Sequence, residues 1–516
     1  MSGTGRGALP REVDTIVVGA GTCGAAVTSR LLGRGGGSVL LVEAGPDWGP
    51  LAAGQWPPEL LDPTLMPVAD WEWGYVSAAA HGTPGMALER ARMMGGCSSH
   101  NGCAAVWGHR RDYDDWEAAG NPGWGAAAML PYLQEADRTL RVHQPTRDEV
   151  TPWHRACLAA APAVGLPVLP NLNDLDAEHG IAIHQINVDH ATRLRWNAAF
   201  ACLDPVRADP RLTVAAETLV DRVVFDGARA VGVDLVGPAG PATVRAGLVV
   251  LAGGAFGTPL VLLRSGVGPA DEVRAQGIAP VLDLPGVGRN LQDHPAFPVR
   301  YVGSDEGRAR MAAFGEEGGL LREEGTTALA RSSRCAGPFD LHLYPVASRP
   351  HGGAGWGFVI SAAVMEPRSR GSVRLGGRDP EARPVIDPGW FTDPAGDDLE
   401  ALLDGIEQAR ALGATPGVAA LAGAEAEPVR GLRDRAALRA HLLAHGMHDY
   451  HPSSTCRMGP AGDPAAVVDA EGRVHGLEGL VVADLSIQPN VPRANTNIPA
   501  FVVALAVADR LGGDDQ

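Results

Sequence analysis

The stretch TIVVGAGTCG at residues 15–24 decides the fold of this 516-residue chain. An apolar, β-branched run leads into Gly19, Gly21 and Gly24, which have the GxGxxG spacing of dinucleotide-binding turns. In such turns the first glycine permits a tight turn, the second lets the backbone approach a pyrophosphate, and the third allows close helix packing. A second apolar run then ends in Glu43, at the interval where a carboxylate accepts a hydrogen bond from a ribose hydroxyl. The stretch therefore predicts a strand, a turn and a helix that bind a nucleotide.

Two later apolar runs end in residues that suit the same ligand. The run LVVL leads into Gly253, and GLVVAD delivers Asp484 at its tip. Because ligands bind at the carboxyl ends of strands in α/β sheets, we expect Gly19, Gly253 and Asp484 to converge on one nucleotide. Short strand patterns from residue 212 onward predict a small meander before Gly253. Such a meander is typical of flavin-binding folds, and a plain nicotinamide dehydrogenase does not need one.

The chain is longer than one hydrophobic core normally supports, so we expect two domains. The first is an α/β domain with the nucleotide-binding turn, at residues 1–155, 198–299 and 448–516. The second is an interleaved α+β domain built on an antiparallel sheet, at residues 156–197 and 300–447. The long segment of this second domain carries no nucleotide-binding signature, and we therefore assign the domain to substrate binding.

The composition of the chain argues against several classes of function. There are 60 acidic residues against 43 basic ones, and every basic residue is arginine, because the sequence contains no lysine. A net charge of −17 argues against nucleic acid as a partner, and the missing lysine excludes a lysine Schiff base. The seven cysteines show no metal-ligand spacing, so we expect reduced thiols and no metal site. The sequence has no apolar run of about 18 residues and no apolar leader, which predicts a cytoplasmic monomer or homodimer without a membrane partner.

Ordered blocks along the chain resemble the glucose-methanol-choline oxidoreductase family, and its choline-oxidising members most. Besides the first glycine turn, the blocks include ARMMGGCSSHN at 91–101, GVGRNLQDHP at 286–295, YHPSSTCRMG at 450–459 and VVADLSIQPNVPRANTNIPA at 481–500. The resemblance covers essentially the whole chain. It implies a Rossmann-like domain that binds FAD, and oxidation of a small-molecule alcohol by hydride transfer to the flavin. Oxygen or another acceptor would then reoxidise the flavin.

The resemblance also implies which residues contact the FAD. His100 occupies the position at which choline-oxidising members attach the flavin covalently. Ser98, Ser99 and Asn101 are expected at the edge of the isoalloxazine, and Asp484 at the ribityl chain or the pyrophosphate. The complete predicted set of cofactor-binding residues is Gly19, Gly21, Gly24, Glu43, Gly95, Gly96, Ser98, Ser99, His100, Asn101, Val220, Gly253, Asp484 and Asn497.

Two residues are predicted to carry the chemistry. Removal of a hydride from an alcohol carbon first requires loss of the hydroxyl proton, which calls for a base such as histidine. The segment HDYH contains two candidates, and His451 rather than His448 matches the family's catalytic position. Asn495 matches the second catalytic position, where its amide is suited to hold the substrate oxygen or the alkoxide. A histidine before proline is otherwise more often structural, and it is the surrounding block that favours catalysis.

The sequence narrows the substrate without naming it. Trp73, Glu316, Asp449 and Tyr450 are the candidate substrate-binding residues, because aromatic rings together with carboxylates accommodate a cation. We therefore expect a primary alcohol on a polar or cationic molecule, such as an amino alcohol or an amino sugar, which is oxidised to the aldehyde. The alternative is a cyanohydrin lyase of the same fold, which binds FAD without net redox chemistry. A nicotinamide-linked dehydrogenase has only the first glycine turn in its favour.

Overall fold

The computed structural model of the protein describes residues 9–66, 70–348 and 356–511, with strands and helices numbered in chain order. Within these residues seven strands form the first sheet: β1 (Glu12–Val18), β2 (Val39–Val42), β4 (Leu212–Ala215), β5 (Leu219–Asp226), β6 (Arg229–Gly237), β7 (Gly240–Leu251) and β18 (Leu480–Val482). Strands β4, β2, β1, β7 and β18 are parallel neighbours in that order. The first half of β7 also pairs antiparallel with β6, which pairs with β5.

The meander in this sheet begins one strand later than the sequence predicts. The prediction that residue 212 starts the meander is wrong, because β4 extends the parallel layer beside β2, with Leu212 opposite Val39. The backbone N–H of Glu43 donates to the carbonyl of Ala215 at 2.9 Å, so β4 satisfies the hydrogen bonds at the edge of β2. The meander itself consists of β5, β6 and β7.

Several helices bury their apolar residues against the first sheet. They are α1 (Thr22–Gly33), α2 (Pro58–Leu61), α3 (Arg110–Ala118), α4 (Ala126–Thr139), α6 (Gly254–Arg264), α7 (Ala270–Ala275) and α12 (Asn497–Leu511). Every residue of α12 from Ile498 to Ala508 is buried, as expected for a helix that is apolar on all sides. Helix α12 packs against both α1 and α4. The thiol of Cys23, at the start of α1, donates to the carbonyl of Ala500 in α12, so α12 helps to position the start of α1.

The second sheet is antiparallel. Its strands are β3 (Gly180–Ile183), β11 (Pro295–Tyr301), β12 (Thr326–Ala330), β13 (Leu341–Ser348), β14 (Gly357–Val364) and β17 (Met447–His448), in the order β17-β11-β14-β13-β12-β3. The helices associated with this sheet are α5 (Pro152–Ala160), α8 (Asp305–Glu316), α9 (Asp397–Gly413), α10 (Pro416–Ala422) and α11 (Arg435–His445). Apolar residues of α9, such as Leu402 and Ile406, are fully buried against the sheet.

Smaller elements connect these two units. Strand β8 (Val267–Gly268) pairs with β9 (Leu282–Asp283), and β10 (Arg289–Leu291), β15 (Gly371–Arg374) and β16 (Val385–Asp387) form a small sheet. Short helical turns lie at Leu51–Ala53, Gly96–Ser99, Ala161–Val164, Ala199–Leu203, Asp204–Val206, Val429–Gly431 and Leu485–Ile487.

Three of the predicted domain boundaries fall inside elements of the second sheet's unit, and one of them, at 447/448, divides β17. The boundary at 155/156 divides α5, whose residue Trp153 belongs to the core of the second sheet. The boundary at 299/300 divides β11, which pairs over its length with β14. We therefore propose that the substrate-side segments begin earlier, near Thr151 and Pro295.

The sequence predicts reduced cysteines and no membrane partner. All seven cysteines are free thiols in the structure. Across residues 9–66, 70–348 and 356–511, no helix combines the length and the apolarity that a bilayer crossing requires.

Candidate active site

A cavity of about 600 Å³ lies where the parallel strands of the first sheet end. Gly19, Glu43, Gly253 and Asp484, which follow β1, β2, β7 and β18, all line it. The structure thus brings together the strand tips that the sequence predicts to converge. The opposite wall comes from the second sheet, where alternate residues of β11, β13 and β14 face the cavity.

The first glycine turn leaves room for a ligand because it has no side chains. Gly19 has a φ of 97°, and a Cβ there would lie 2.6 Å from the carbonyl oxygen of Ala252. At Gly24, which faces the turn rather than the cavity, a Cβ would lie 1.7 Å from the carbonyl oxygen of Gly19. Helix α1 starts after Gly21 without a side-chain cap, so its first backbone N–H groups point at the cavity. Such a helix N-terminus suits a diphosphate.

The two acidic residues at the strand tips shape the backbone around the cavity. Glu43 accepts hydrogen bonds from the N–H groups of Ala20 and Gly45, both at 2.9 Å, and burial raises its pKa to about 7. Asp484 accepts the N–H of Gly254 at 2.8 Å and the hydroxyl of Thr258 at 2.5 Å. Both carboxyl groups line the cavity, so a ribose or ribityl hydroxyl can reach them.

The second glycine-rich turn differs from the sequence-based picture at two serines. The hydroxyl of Ser98 donates to the carbonyl of Gly95 at 2.6 Å, and that of Ser99 donates to the carbonyl of Met94 at 3.0 Å. Both serines are buried and absent from the cavity wall, so the structure does not bring their side chains to the cavity as the sequence predicts. They stabilise the turn, because Gly95 has a φ of 82° and the turn needs its carbonyls satisfied.

The residues of this turn that do face the cavity are Gly96, His100 and Asn101. Gly96 packs directly against the first turn, where a Cβ would lie 2.6 Å from the Cα of Gly21. Nδ1 of His100 lies 3.1 Å from Oε1 of Glu72, and only 7% of the His100 side chain is exposed. Burial alone would lower the pKa of His100, but hydrogen bonds to Cys97 and Glu72 raise it to about 9. Nothing in the local sequence pattern marks Glu72 except its place beside Trp73.

Asn497 provides a test of whether the cavity fits FAD. Its Oδ1 accepts the hydroxyl of Thr22 at 3.1 Å, while its Nδ2 is buried without a partner among the described residues. Asn497 is the first residue of α12, so a second helix N-terminus also faces the cavity. Val220 completes this wall. A ligand with a diphosphate and a polar ring edge matches two helix N-termini and an unpaired amide donor, and FAD has these groups.

The candidate base lies at the junction of the two sheets. The Nδ1 of His451 is 2.9 Å from the Nδ1 of His294, and its Nε2 is 3.5 Å from the Nδ2 of Asn495. His451 and Asn495 both line the cavity. Burial, followed by the nearby His294 and Arg90, lowers the pKa of His451 well below its usual range. The ring is therefore neutral near pH 7 and able to accept a proton.

Asp293 holds the segment that carries the base. Its Oδ1 accepts the backbone N–H of His451 at 2.8 Å, and its Oδ2 lies 3.0 Å from Nδ1 of His448. The Nε2–H of His448 donates to the carbonyl of Ala87 at 3.1 Å, and its ring stacks on Trp390. Both ring nitrogens of His448 are thus engaged by the protein, which suits a structural role.

The predicted substrate residues do not all reach the cavity. Trp73, Asp449 and Tyr450 line it, whereas Glu316 is exposed at the end of α8 and does not. The ring of Trp73 is also engaged already, because Tyr75 stacks on it and Cζ of Arg92 lies 4.7 Å from its centroid. A cation site made of Trp73 and Glu316 is therefore wrong.

Sequence reasoning overlooked several residues at this site. Asp293 and His294 lie within the quoted block GVGRNLQDHP, and the chemistry of an adjacent Asp-His pair was a usable signal. Glu323, Glu324 and Tyr344 also line the cavity. No local pattern marks them, because the antiparallel register of β12, β13 and β14 brings them to the cavity.

Comparisons with known proteins agree with this geometry. Residues 13–296 and 367–504 match the N-terminal and C-terminal family models described as GMC oxidoreductase. The chain belongs to the GMC oxidoreductase family. It is 34% identical to choline oxidase from Arthrobacter globiformis, over 97% of this chain and 94% of the relative. It is 31% identical to oxygen-dependent choline dehydrogenase from Brucella anthropi, over 97% of this chain and 96% of the relative.

A solved structure shows the same fold. Pyridoxine 4-oxidase from Mesorbium loti superimposes with a TM-score of 0.87 at 29% identity, over 98% of this chain and 100% of that one. These relatives confirm the predicted fold class and the resemblance given above. The protein is an FAD-dependent oxidoreductase that acts on alcohols. Nothing in the comparisons points to a lyase.

Proposed function

We propose that this enzyme oxidises a primary alcohol on a small polar or cationic molecule to the aldehyde, with His451 as the base. The observation that carries the proposal is the neutral, buried ring of His451 on the cavity wall beside Asn495. FAD, when bound, accepts the hydride from the alcohol carbon. The residues of the chain bind the substrate, take its proton and hold the resulting oxygen.

The tautomer of His451 supports its role as base. The 2.9 Å contact between the Nδ1 atoms of His294 and His451 requires that one of the two carries a hydrogen and the other accepts it. The Nδ2 group of Asn495 can only donate, so it favours a lone pair on the facing Nε2 of His451. His451 then carries its hydrogen on Nδ1, which is directed at His294, and keeps Nε2 free for the alcohol proton. Nε2 of His451 and the amide of Asn495 can both reach one substrate oxygen.

We also propose that FAD is held by the two helix N-termini, Glu43, Asp484 and Asn497, and is attached through His100. The support is the position of His100 on the cavity wall, oriented by Glu72. Acid precipitation of the matured, yellow protein tests the linkage. Flavin in the pellet is expected, and flavin entirely in the supernatant would contradict the covalent bond while leaving noncovalent binding intact.

The proposed acceptor is oxygen, since one relative is named an oxidase and another is oxygen-dependent. The test is to mix the reduced enzyme with air-saturated buffer and follow both flavin absorbance and hydrogen peroxide. Rapid reoxidation with one peroxide per flavin is expected. Reoxidation that needs an added dye would assign a different acceptor.

The main experiment is anaerobic stopped-flow with a panel of alcohols, following the loss of flavin absorbance. Amino alcohols and amino sugars are expected to reduce the flavin, and long aliphatic or benzylic alcohols to do so poorly. If cyanohydrins were cleaved without any change in flavin absorbance, the protein would be a lyase and the proposal would fail.

A further inference from the structure

Carboxyl groups are concentrated on the substrate side of the cavity. Asp449, Glu323 and Glu324 all line it, on the wall opposite the first glycine turn. Asp449 lies two residues before the proposed base, and its backbone N–H donates to the carbonyl of His294 at 3.0 Å. The carboxylate of Glu324 lies beside the second glycine-rich turn, because a Cβ at Gly102 would be 3.2 Å from its Oε2.

Among the described residues, these carboxyl groups form no close ion pair with a basic side chain. Within residues 9–66, 70–348 and 356–511, no arginine or histidine lies within 4.0 Å of the carboxyl oxygens of Asp449, Glu323 or Glu324. The Oδ2 of Asp449 is completely buried and has no hydrogen-bond partner in the same part of the chain. A buried carboxyl group without a partner is destabilising if it is charged. It is therefore a position at which a ligand can supply a missing hydrogen bond or charge.

The pKa values agree with the missing partner. Burial, together with Glu324 and Asp293, holds the pKa of Asp449 well above its usual range. Burial and Glu324 also raise the pKa of Glu323 to about 7. Burial raises the pKa of Glu324 as well, although Arg322 acts in the opposite direction. A cation between Asp449 and Glu324 would reverse these shifts, because it stabilises the charged forms.

A cation that carries N–H groups would satisfy these carboxyl groups. Oδ2 of Asp449 needs a hydrogen-bond donor, which a primary or secondary ammonium group supplies and a trimethylammonium group does not. A quaternary ammonium group instead requires free aromatic faces around it. Of the aromatic residues that line this cavity, Trp73 is covered by Tyr75 and Arg92.

We infer that the enzyme selects alcohols bearing a primary or secondary ammonium group near the reacting carbon, and that Asp449 and Glu324 accept its N–H groups. The inference rests on the proposed alcohol oxidation and names the substrate class of that same site. Asp449 then determines which alcohols bind, because it lies two residues from His451 in the chain and binds the ammonium group close to the base. The ammonium group is held at a fixed distance from the hydroxyl that His451 deprotonates.

The first test compares alcohols that share a carbon skeleton. Ethanolamine, choline and ethylene glycol differ only in the group on the carbon next to the alcohol carbon. The second-order rate constant of anaerobic flavin reduction is expected to be about 10- to 100-fold higher for ethanolamine than for the other two compounds. One charged hydrogen bond contributes a factor of this size. If choline or the neutral compound reduces the flavin equally well, the inference is overturned while alcohol oxidation stands.

The second test uses an ammonium without an alcohol, so it does not depend on catalysis. Propylamine is titrated into the oxidised holoenzyme and its dissociation constant is read from the perturbation of the flavin spectrum. Asp449→Asn and Glu324→Gln are each expected to weaken binding about 10- to 100-fold. Asp271→Asn removes a fully exposed carboxylate from α7 and should leave the constant unchanged. Equal affinity in wild type and both cavity variants would overturn the inference, even if every alcohol failed to reduce the flavin.

Discussion

At the scale of single residues, His451 offers the sharpest test of the proposed chemistry. His451→Ala should keep the fold and the flavin but reduce it about 100- to 10,000-fold more slowly, a loss of roughly 3 to 5 kcal/mol in transition-state stabilisation. Asn495→Ala should lose less, because it removes one contact to the oxygen and leaves the base. The measurement is the anaerobic rate of flavin reduction at saturating substrate. His445→Ala, at an exposed position of α11, is the matched control. A His451→Ala rate within about threefold of wild type would remove it as the base.

The pH dependence of the same rate is a second residue-scale prediction. Burial and the facing groups His294, Arg90, His342 and His448 lower the pKa of His451. A base acts when it is deprotonated, so a lowered pKa keeps it active at lower pH. The rate at saturating substrate should therefore be constant from about pH 8 to about pH 6, whereas an unperturbed histidine would lose about fourfold. A fall of that size, with matched flavin content, would show that the base titrates near its usual pKa.

What the sequence predicts at this scale depends on how local the information is. His451 and Asn495 could be assigned because they lie in motif blocks. The directions of the Ser98 and Ser99 side chains could not be predicted. A short helical turn sends successive side chains to different sides, and both hydroxyls bond to backbone carbonyls. The position of Glu316 could not be predicted for a similar reason. It is the last residue of α8 and lies on the exposed side of that helix, away from the cavity.

At the scale of elements, the contact between the first turn and α1 is the most constrained. Gly24→Ala would bring a Cβ to 1.7 Å from the carbonyl oxygen of Gly19, so either α1 or the turn must move. We expect reduced flavin content and a loss of about 1 to 3 kcal/mol or more in the free energy of unfolding. The measurements are the absorbance ratio of flavin to protein and the thermal unfolding temperature.

The control for this variant lies in the same helix. At Gly33, the last residue of α1, a Cβ would meet nothing within 4 Å. Gly33→Ala should retain flavin and gain up to about 1 kcal/mol from helix propensity. If both variants kept full flavin and similar stability, close packing at Gly24 would not be what positions the turn.

At the scale of the whole molecule, a covalent cofactor would change how stability responds to FAD. If His100 holds the flavin, the unfolding temperature of the wild type should not change when FAD is added. His100→Ala should become sensitive to added FAD, with a gain of about 2.7 kcal/mol at a free concentration 100-fold above Kd. Thermal unfolding after gel filtration, with and without FAD, measures both. A wild type that responds like the variant would contradict the linkage.

The two halves of the molecule also differ in how far the sequence predicts them. The nucleotide-binding half is encoded by short glycine spacings next to apolar strands, so β1, α1 and β2 follow directly from residues 15–44. The second sheet joins β3 to β12 across more than a hundred residues, with Ile183 opposite Thr326. No local pattern specifies that register, so the sequence does not predict that Glu323 and Glu324 line the cavity.

Cys97, in the same glycine-rich turn as His100, is a reactive thiol on the cavity wall. Burial acts to raise the pKa of Cys97, but Arg90 and His100 outweigh it and lower that pKa to about 6. A thiol of this kind is largely ionised at neutral pH and reacts with alkylating reagents. Since Cys97 lines the cavity, a bound flavin would shield it. Brief treatment with iodoacetamide should thus alkylate Cys97 in cofactor-free molecules and spare loaded ones, so peptide mass analysis would count the empty fraction of a preparation.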